Sequence, residues 1–148
     1  MDYKCGVCGF ELWRPVALLP HASIGLYSDA RFPGRALVSA REHFDEFTLM
    51  PKDLWVPYLE EVRLVATAIQ RATGATRVNY ALLGNAESHV HFHLFPRNPG
   101  GEPKPDKSPW DDPRPREELS DQHASQVVES IRKALRELST HSISPREV

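Results

Sequence analysis

The sequence predicts an α+β domain built on an antiparallel sheet. Apolar residues recur every three to four positions at residues 54–73 and 120–138, which is the spacing of amphipathic helices. Short runs rich in strand formers precede and follow the first of these helices. A third observation is a strictly alternating run at residues 89–95. The order of strands, helix, strands and late helix indicates an α+β fold with antiparallel pairing.

The composition bounds the class of protein. A chain of 148 residues suits one domain with one core, and 41% hydrophobic residues is ordinary for a globular protein. The formal net charge of −2 provides no strong basic field, so we expect no nucleic-acid partner. No apolar run reaches the roughly 18 residues of a membrane span, and the N-terminus lacks the apolar stretch of a signal peptide. We therefore expect a cytoplasmic protein with no membrane partner.

The N-terminal segment, residues 1–20, opens with a C-x-x-C motif formed by Cys5 and Cys8. By itself this motif fits a redox pair, half of a zinc site or two plain thiols. Because the expected compartment is reducing, metal ligands or free thiols are favoured over a structural disulfide.

Two early strands are predicted at residues 23–27 and 35–39, with a turn between them that contains Asp29. They are expected to form an antiparallel pair. His43 follows the second strand and by itself is compatible with a plain surface residue.

The main helix is predicted at residues 54–73, and Asp53 is a candidate for its N-terminal cap. Pro57 has no backbone N–H, so the helix should begin near it or bend there. Gly74 is the expected stop. A strand at residues 76–83 should then pair beside the alternating run.

The alternating run places His89, His91 and His93 on one face of a strand, since side chains alternate between the faces. Apolar residues occupy the positions between them and can pack on a core. An ordinary solvated face would carry Thr, Lys, Glu or Ser. The three histidines are therefore predicted to form a functional site, either as metal ligands or as a nucleophile supported by neighbouring rings.

The sequence beside the row favours a phosphate ester over a bare metal. Gly84 and Asn85 lie upstream, where a glycine loop offers backbone N–H groups to an anion. Arg97 lies downstream and provides a fixed charge with a bidentate fork.

A proline-rich loop is predicted at residues 96–118, because seven prolines fall between positions 96 and 115. This loop follows the histidine strand, so it can fold over the site. Trp110 within it is interpreted as a packing anchor, with stacking on a base or sealing of a dimer as alternatives. The late helix follows with Ser120 as its capping candidate, and residues 139–148 are predicted to form a polar tail.

The run His89-x-His91-x-His93, with apolar residues at the intervening positions, resembles the signature of the histidine triad family. With Asn79 and the residues up to Asn85, it is similar to the short bacterial branch described as diadenosine polyphosphate hydrolases. The resemblance implies a single histidine triad domain over residues 1–138, with about five antiparallel strands and two main helices. It also implies a homodimer whose two sheets join into one.

The resemblance implies a role for each residue of the row. His91 would attack the α-phosphate of a nucleotide, and water would hydrolyse the nucleotidyl-histidine intermediate. His93 would donate a hydrogen bond to a non-bridging oxygen, while His89 would hold the strand end and orient its neighbours.

Further residues are carried over as substrate contacts. Asn79, Gly84 and Asn85 correspond to the family's phosphate side. Asp29 matches the region that holds the ribose, with an ordinary turn aspartate as the equal alternative.

The sequence departs from the family pattern upstream of the row. Ala86 lacks the hydroxyl that some relatives use toward the scissile oxygen, and Glu87 places negative charge near a polyphosphate site. Arg97 is expected to offset that charge.

Several activities stay open at the level of the sequence. A nucleoside phosphoramidase and a nucleotidyl transferase use the same attack on phosphorus, and a nucleotide-binding regulatory module is the alternative from another class. A metal enzyme with the three histidines as ligands is disfavoured, because Glu87 is the only carboxylate close to the row.

The resemblance also implies a structural zinc ion held by Cys5, Cys8, His43 and His89, since some relatives pair such cysteines with these histidine positions. The alternative is two plain thiols. No organic cofactor is expected.

Overall fold

The computed structural model describes residues 3–141, and it shows a five-stranded antiparallel sheet with two helices on one face. The strands, in chain order, are β1 Arg14–Leu18, β2 Ala22–Leu26, β3 Ala36–Ala40, β4 Arg77–Leu82 and β5 His91–Arg97. Helix α1, Lys52–Thr73, lies between β3 and β4 in the chain, and α2, Asp121–His141, comes last. The strand order across the sheet is β1-β2-β3-β5-β4. The predicted α+β class is confirmed.

Helix α1 forms because its apolar residues make one stripe. Its buried positions include Tyr58, Val62 and Ile69, and the Tyr58 hydroxyl donates to the Val38 carbonyl at 2.6 Å. This stripe and the matching face of α2 pack on β2, β3 and β5 to form the main core. Burial of this apolar surface is the dominant stabilising contribution.

The ends of the helices differ in part from the prediction. Helix α1 begins five residues before Pro57, at Lys52, with Pro51 at the capping position and no side-chain cap from Asp53. Gly74 ends the helix as predicted, in a left-handed conformation with φ of 70°. Helix α2 extends to His141, so residues 139–141 belong to it and not to the tail. Residues 142–148 of the predicted tail lie outside the described residues.

The register of β5 fixes which side chains share a face. His91 pairs with Ser39 and His93 with Leu37 in β3, while Phe92 and Leu94 face the helices and the core. The strand begins at His91, so the prediction of a strand from residue 89 was wrong by two residues at this end. His89 precedes the strand, so the alternation of faces along β5 does not determine the direction of its side chain.

The face of the sheet opposite the helices is covered by two segments. The N-terminal segment forms an isolated bridge between Lys4 and Glu11, and its Phe10 and Leu12 pack with Leu37 of the sheet. The proline-rich segment that follows β5 contains two short 3-10 turns, at Pro99–Gly101 and Pro109–Asp111. Within the described residues, neither helix has the length and apolar character needed to cross a membrane.

Candidate active site and metal centre

His91 is held in one orientation by the backbone beside it. Its Nδ1 lies 2.6 Å from the carbonyl oxygen of His89. Because a carbonyl only accepts, Nδ1 carries the proton and donates, and the neutral ring keeps a lone pair on Nε2. Burial lowers the pKa of His91 below its ordinary value. The ring is therefore neutral near pH 7 and carries the lone pair that a nucleophile requires.

His93 lies one strand repeat further along the same face, with its ring centre 5.0 Å from that of His91. Its Nδ1 lies 3.1 Å from Nη2 of Arg35, and Trp110 approaches its ring edge-on at 5.8 Å. Burial, together with the nearby charge of Arg35, lowers the pKa of His93 to about 4. This ring is also neutral near pH 7.

Four metal-ligating side chains converge beside the start of β5. One potential ligand atom from each of Cys5, Cys8, His43 and His89 lies within 4.8 Å of the other three. Each sulfur lies 3.7 Å from an Nδ1 atom, Cys5 from that of His43 and Cys8 from that of His89. The two Nδ1 atoms are 3.3 Å apart. The structure thus brings together the four residues of the predicted zinc site.

The remaining nitrogens of the two histidines are bound on the outside of this cluster. Nε2 of His89 lies 2.8 Å from the Ala40 carbonyl oxygen, and Nε2 of His43 lies 2.9 Å from a carboxylate oxygen of Asp45. Both partners accept, so both Nε2 atoms carry protons and both Nδ1 lone pairs face the sulfurs. Outer hydrogen bonds of this kind orient the histidine ligands of metal sites.

The surroundings of Cys5 favour the thiolate form of its sulfur. The backbone N–H of Val7 donates to it at 3.4 Å. Burial raises the pKa of Cys5, but donation from the backbone of Cys8 and Val7 outweighs it and lowers the pKa to about 7. A thiolate is the form that binds a metal ion.

The geometry of the cluster can be compared with that of a tetrahedral ion. Zn–S bonds of about 2.3 Å and Zn–N bonds of about 2.05 Å place two nitrogens about 3.3 Å apart and a nitrogen and a sulfur about 3.6 Å apart. The observed separations are 3.3 Å and 3.7 Å. The donor set and its spacing fit a structural Zn²⁺ site.

Two predicted phosphate contacts lie at the other end of β5. Arg97 is the last residue of that strand, about 20 Å from His91 at about 3.3 Å per residue. Its Nε donates to Glu102 at 2.7 Å, and Nη1 donates to Asn79. The structure therefore does not bring Arg97 and Asn79 to His91, and the prediction that Arg97 offsets the charge of Glu87 was wrong.

The other predicted contacts have separate environments. Gly84 adopts a left-handed φ of 83° in the loop before β5, and Asn85 beside it is exposed. The Asp29 carboxylate is fully buried and accepts from Arg31 and Arg35. Its oxygens are engaged within the protein, which favours the structural interpretation of this turn residue.

Three residues of the site were missed from the sequence. Phe10 stacks on His89 with ring centres 5.2 Å apart, and it packs on His91 in a tilted arrangement at 4.8 Å. It helps leave His91 only 5% exposed. Arg35 contacts His93, and Asp45 contacts His43. The sequence did offer a signal for Asp45, which is a carboxylate two positions after His43. It offered no signal for Phe10 and Arg35, because their contacts with the row join distant segments of the chain.

Comparison with known proteins decides the family. A family model described as the HIT domain matches residues 16–100, which is more than half of the chain. The chain belongs to the histidine triad family. Members of this family are typically nucleotide hydrolases or transferases. No curated protein sequence matches the chain at a significant level.

Solved histidine triad structures share the fold. A histidine triad protein of Sinorhizobium meliloti is 23% identical with a TM-score of 0.73, and the match covers 82% of this chain and 88% of that one. A zinc-bound family member of Mycobacterium smegmatis is 18% identical with a TM-score of 0.65, covering 86% of each chain. A diadenosine triphosphate hydrolase of Plasmodium falciparum is 13% identical with a TM-score of 0.62, covering 94% of this chain and 85% of that one.

Proposed function

We propose that the protein is a nucleotide hydrolase that attacks an α-phosphate through His91. The observation that carries this proposal is the bond from Nδ1–H of His91 to the His89 carbonyl, which leaves the Nε2 lone pair of a neutral ring for attack. The substrates proposed are diadenosine polyphosphate-like molecules, in line with the activity of the P. falciparum relative.

The reaction proceeds in two displacements. The Nε2 lone pair of His91 forms a bond to the α-phosphorus, and the electron pair of the broken P–O bond leaves with the remaining phosphate chain. Water then attacks the same phosphorus, and the electron pair of the P–N bond returns to His91. The protein contributes positioning and stabilisation of charge on the phosphoryl oxygens.

Neighbouring groups provide that stabilisation. His93 donates to a non-bridging oxygen, while the loop at Gly84 and Asn85 lines the phosphate side with backbone N–H groups. His89 acts through its carbonyl, which orients the ring of His91.

We also propose that Cys5, Cys8, His43 and His89 hold one structural Zn²⁺. The support is the tetrahedral spacing of their donor atoms and the zinc-bound M. smegmatis relative. Such an ion would join the N-terminal segment to the residue whose carbonyl orients His91. The ion supplies order at this position and takes no part in the chemical steps.

The proposed assembly is a homodimer in which the two sheets join through β4. This strand lies at an edge of the sheet, and an unpaired edge offers backbone groups to another strand. Tyr80 on this strand is 51% exposed, and Leu83 just beyond it is 59% exposed. Joining two edges would cover both residues.

A nucleotide-binding regulatory module is the second candidate, because His91 is only 5% exposed beneath Phe10. A metal enzyme that uses all three histidines is disfavoured by the structure. The Nδ1 atoms of the row face three different partners: the sulfur of Cys8, the carbonyl of His89 and the guanidinium of Arg35.

One experiment separates these functions. Adenine and guanine dinucleoside polyphosphates, nucleoside phosphoramidates and sugar nucleotides are assayed with wild-type protein and with His91→Ala. We expect turnover of a dinucleoside polyphosphate that falls by several orders of magnitude in the variant, while nucleotide binding and fold are retained. Preference for a phosphoramidate would reassign the bond. Nucleotide binding without turnover of any compound would favour the regulatory module.

A further inference from the structure

Arg35 places a buried positive charge directly behind the histidine row. Arg35 as a whole is 4% exposed. Nη1 donates to Oδ2 of Asp29 at 3.0 Å, and Nη2 lies 3.1 Å from Nδ1 of His93. One buried side chain thus connects a carboxylate to an imidazole of the site.

The guanidinium packs against two aromatic rings. Its central carbon lies 3.7 Å from the ring centre of Tyr27 and 4.2 Å from that of Phe95. Stacking of this kind stabilises a guanidinium and fixes its direction, because the fork is planar and rigid. Asp29 is fixed as well, since Nε and Nη2 of Arg31 donate to its two oxygens at 2.9 Å each.

This arrangement has a cost that packing does not explain. Nε of Arg35 is buried without a hydrogen-bond partner among the described residues. A buried polar group without a partner destabilises the folded state, because its hydrogen bond to water is lost on folding. An apolar side chain between Tyr27 and Phe95 would avoid that cost, so a role for the guanidinium itself is indicated.

The contact with Arg35 determines which ring nitrogen of His93 carries the proton. A guanidinium has five donors and no acceptor, so Nδ1 of His93 must present a lone pair to it. A neutral ring in that state carries its proton on Nε2. His91 has the reverse arrangement, because its Nδ1–H donates to a carbonyl. The two neighbouring rings are thus set in opposite tautomers, one as a nucleophile and one as a donor.

We propose that Arg35, anchored by Asp29, is a positioning residue that fixes His93 as an Nε2–H donor toward the reacting phosphate. This inference rests on the proposed attack by His91. Arg35 acts through His93 and does not itself touch the substrate. Its role is to prevent the ring from adopting the tautomer in which Nε2 would repel a phosphoryl oxygen.

The first test reads the tautomer directly in the protein as purified, without substrate. Nitrogen-15 NMR of the imidazole groups, assigned with His93→Gln, should show an unprotonated Nδ1 and a protonated Nε2 for His93 in the wild type. Arg35→Met should release the ring to a mixture of tautomers, whereas Arg35→Lys should keep the wild-type state because it retains a charged donor. A protonated Nδ1 in the wild type would overturn the proposal without any variant, so a failure of Arg35→Met to fold leaves it testable.

The second test measures turnover of a dinucleoside polyphosphate. Arg35→Met should lower kcat about 100-fold with a smaller change in KM, since loss of one aligned donor to a phosphoryl oxygen acts mainly in the transition state. Arg35→Lys should recover part of this loss. Arg31→Met is the comparison variant, because it removes a guanidinium from the same Asp29 without touching His93, and its kcat should fall clearly less than that of Arg35→Met.

The two tests distinguish a failure of the positioning role from a failure of the proposed function. An Nε2–H tautomer that depends on Arg35, in a protein that turns over no nucleotide, supports the positioning while refuting the proposed function. Turnover through His91, with kcat and the tautomer of His93 unchanged in a folded Arg35→Met variant, overturns the positioning role alone.

Discussion

Two segments cover the histidine face of the sheet, and different forces hold them there. The N-terminal segment, residues 3–12, is held by a small apolar cluster around Phe10 and by the four converging ligand side chains. The proline-rich segment, residues 98–118, is held by charge pairs. Arg97 pairs with Glu102 and Arg114 with Asp112, and the two carboxylate side chains are each only 4% exposed.

The difference shows how one face can be closed from two ends. Each segment brings one aromatic ring to the histidine row, Phe10 to His89 and His91, and Trp110 to His93. The proposed metal ion would add order to a segment whose own apolar surface is small. The longer segment is fixed by buried ion pairs instead. Loss of metal should therefore affect the end at His91, and loss of a charge pair should affect the other end.

Removing the proposed metal ligands should have the largest effect on stability. Cys5→Ser combined with Cys8→Ser should lower the metal content from about one zinc per chain to near zero and reduce the melting temperature by about 10 °C or more. Part of the activity should remain, because the sulfurs do not touch the substrate. Metal analysis and calorimetry of both proteins provide the measurement. Wild-type protein purified without metal, with the same melting temperature as the variant, would refute the zinc site.

Breaking a charge pair in the proline-rich segment should have the next largest effect. Glu102→Ala leaves Arg97 buried without its carboxylate but still bonded to Asn79 and to two backbone carbonyls, which should cost about 2 kcal/mol of unfolding free energy. The zinc content should stay at the wild-type level. Glu118→Ala removes an exposed glutamate from the same segment and should change stability by less than about 0.5 kcal/mol. Equal losses of unfolding free energy in the two variants, measured by denaturant unfolding, would show that the Arg97–Glu102 pair does not hold this segment.

Protonation of His93, the histidine that packs against Trp110, should destabilise the folded protein in acid. Burial and the charge of Arg35 lower its pKa to about 4 in the folded protein, against about 6.5 when unfolded. The unfolded chain then binds more protons between these values, so this contribution to stability is complete above about pH 6.5 and is lost as the pH falls toward about 4.

His93→Gln isolates this small contribution, because the variant retains the metal ligands and their own response to acid. Melting temperatures measured from pH 4 to 7 should fall less steeply in the variant than in the wild type. Parallel curves for the two proteins would show that His93 is not kept neutral by its surroundings.

The fold was predictable because its signals are local. The alternation at residues 91–95 specified a strand with two distinct faces, and Gly74 specified the end of α1. The predicted start of α1 at residue 54 lies two residues after the observed start at Lys52, and Leu54 and Trp55, upstream of Pro57, pack against the core. The departure of His89 from the strand depends on Cys8 and His43, which are distant in the sequence.

The site was predictable where family resemblance named the residue and unpredictable where contact depends on the fold. His91, His93 and the four ligand residues lie together as predicted. Arg97 seemed close to the row in the sequence, but an extended strand carries it about 20 Å away. Arg35 seemed unrelated to the row, yet antiparallel pairing of β3 with β5 brings it to His93.

Covalent attack by His91 is tested most directly by trapping the intermediate. Protein turning over a diadenosine polyphosphate is quenched without acid, which preserves a P–N bond, and is analysed by mass spectrometry. We expect one nucleoside monophosphate attached to His91, no adduct in His91→Ala, and overall retention of configuration at a chiral phosphorothioate. Turnover without an adduct and with inversion would show direct attack by water and would rule out His91 as the nucleophile.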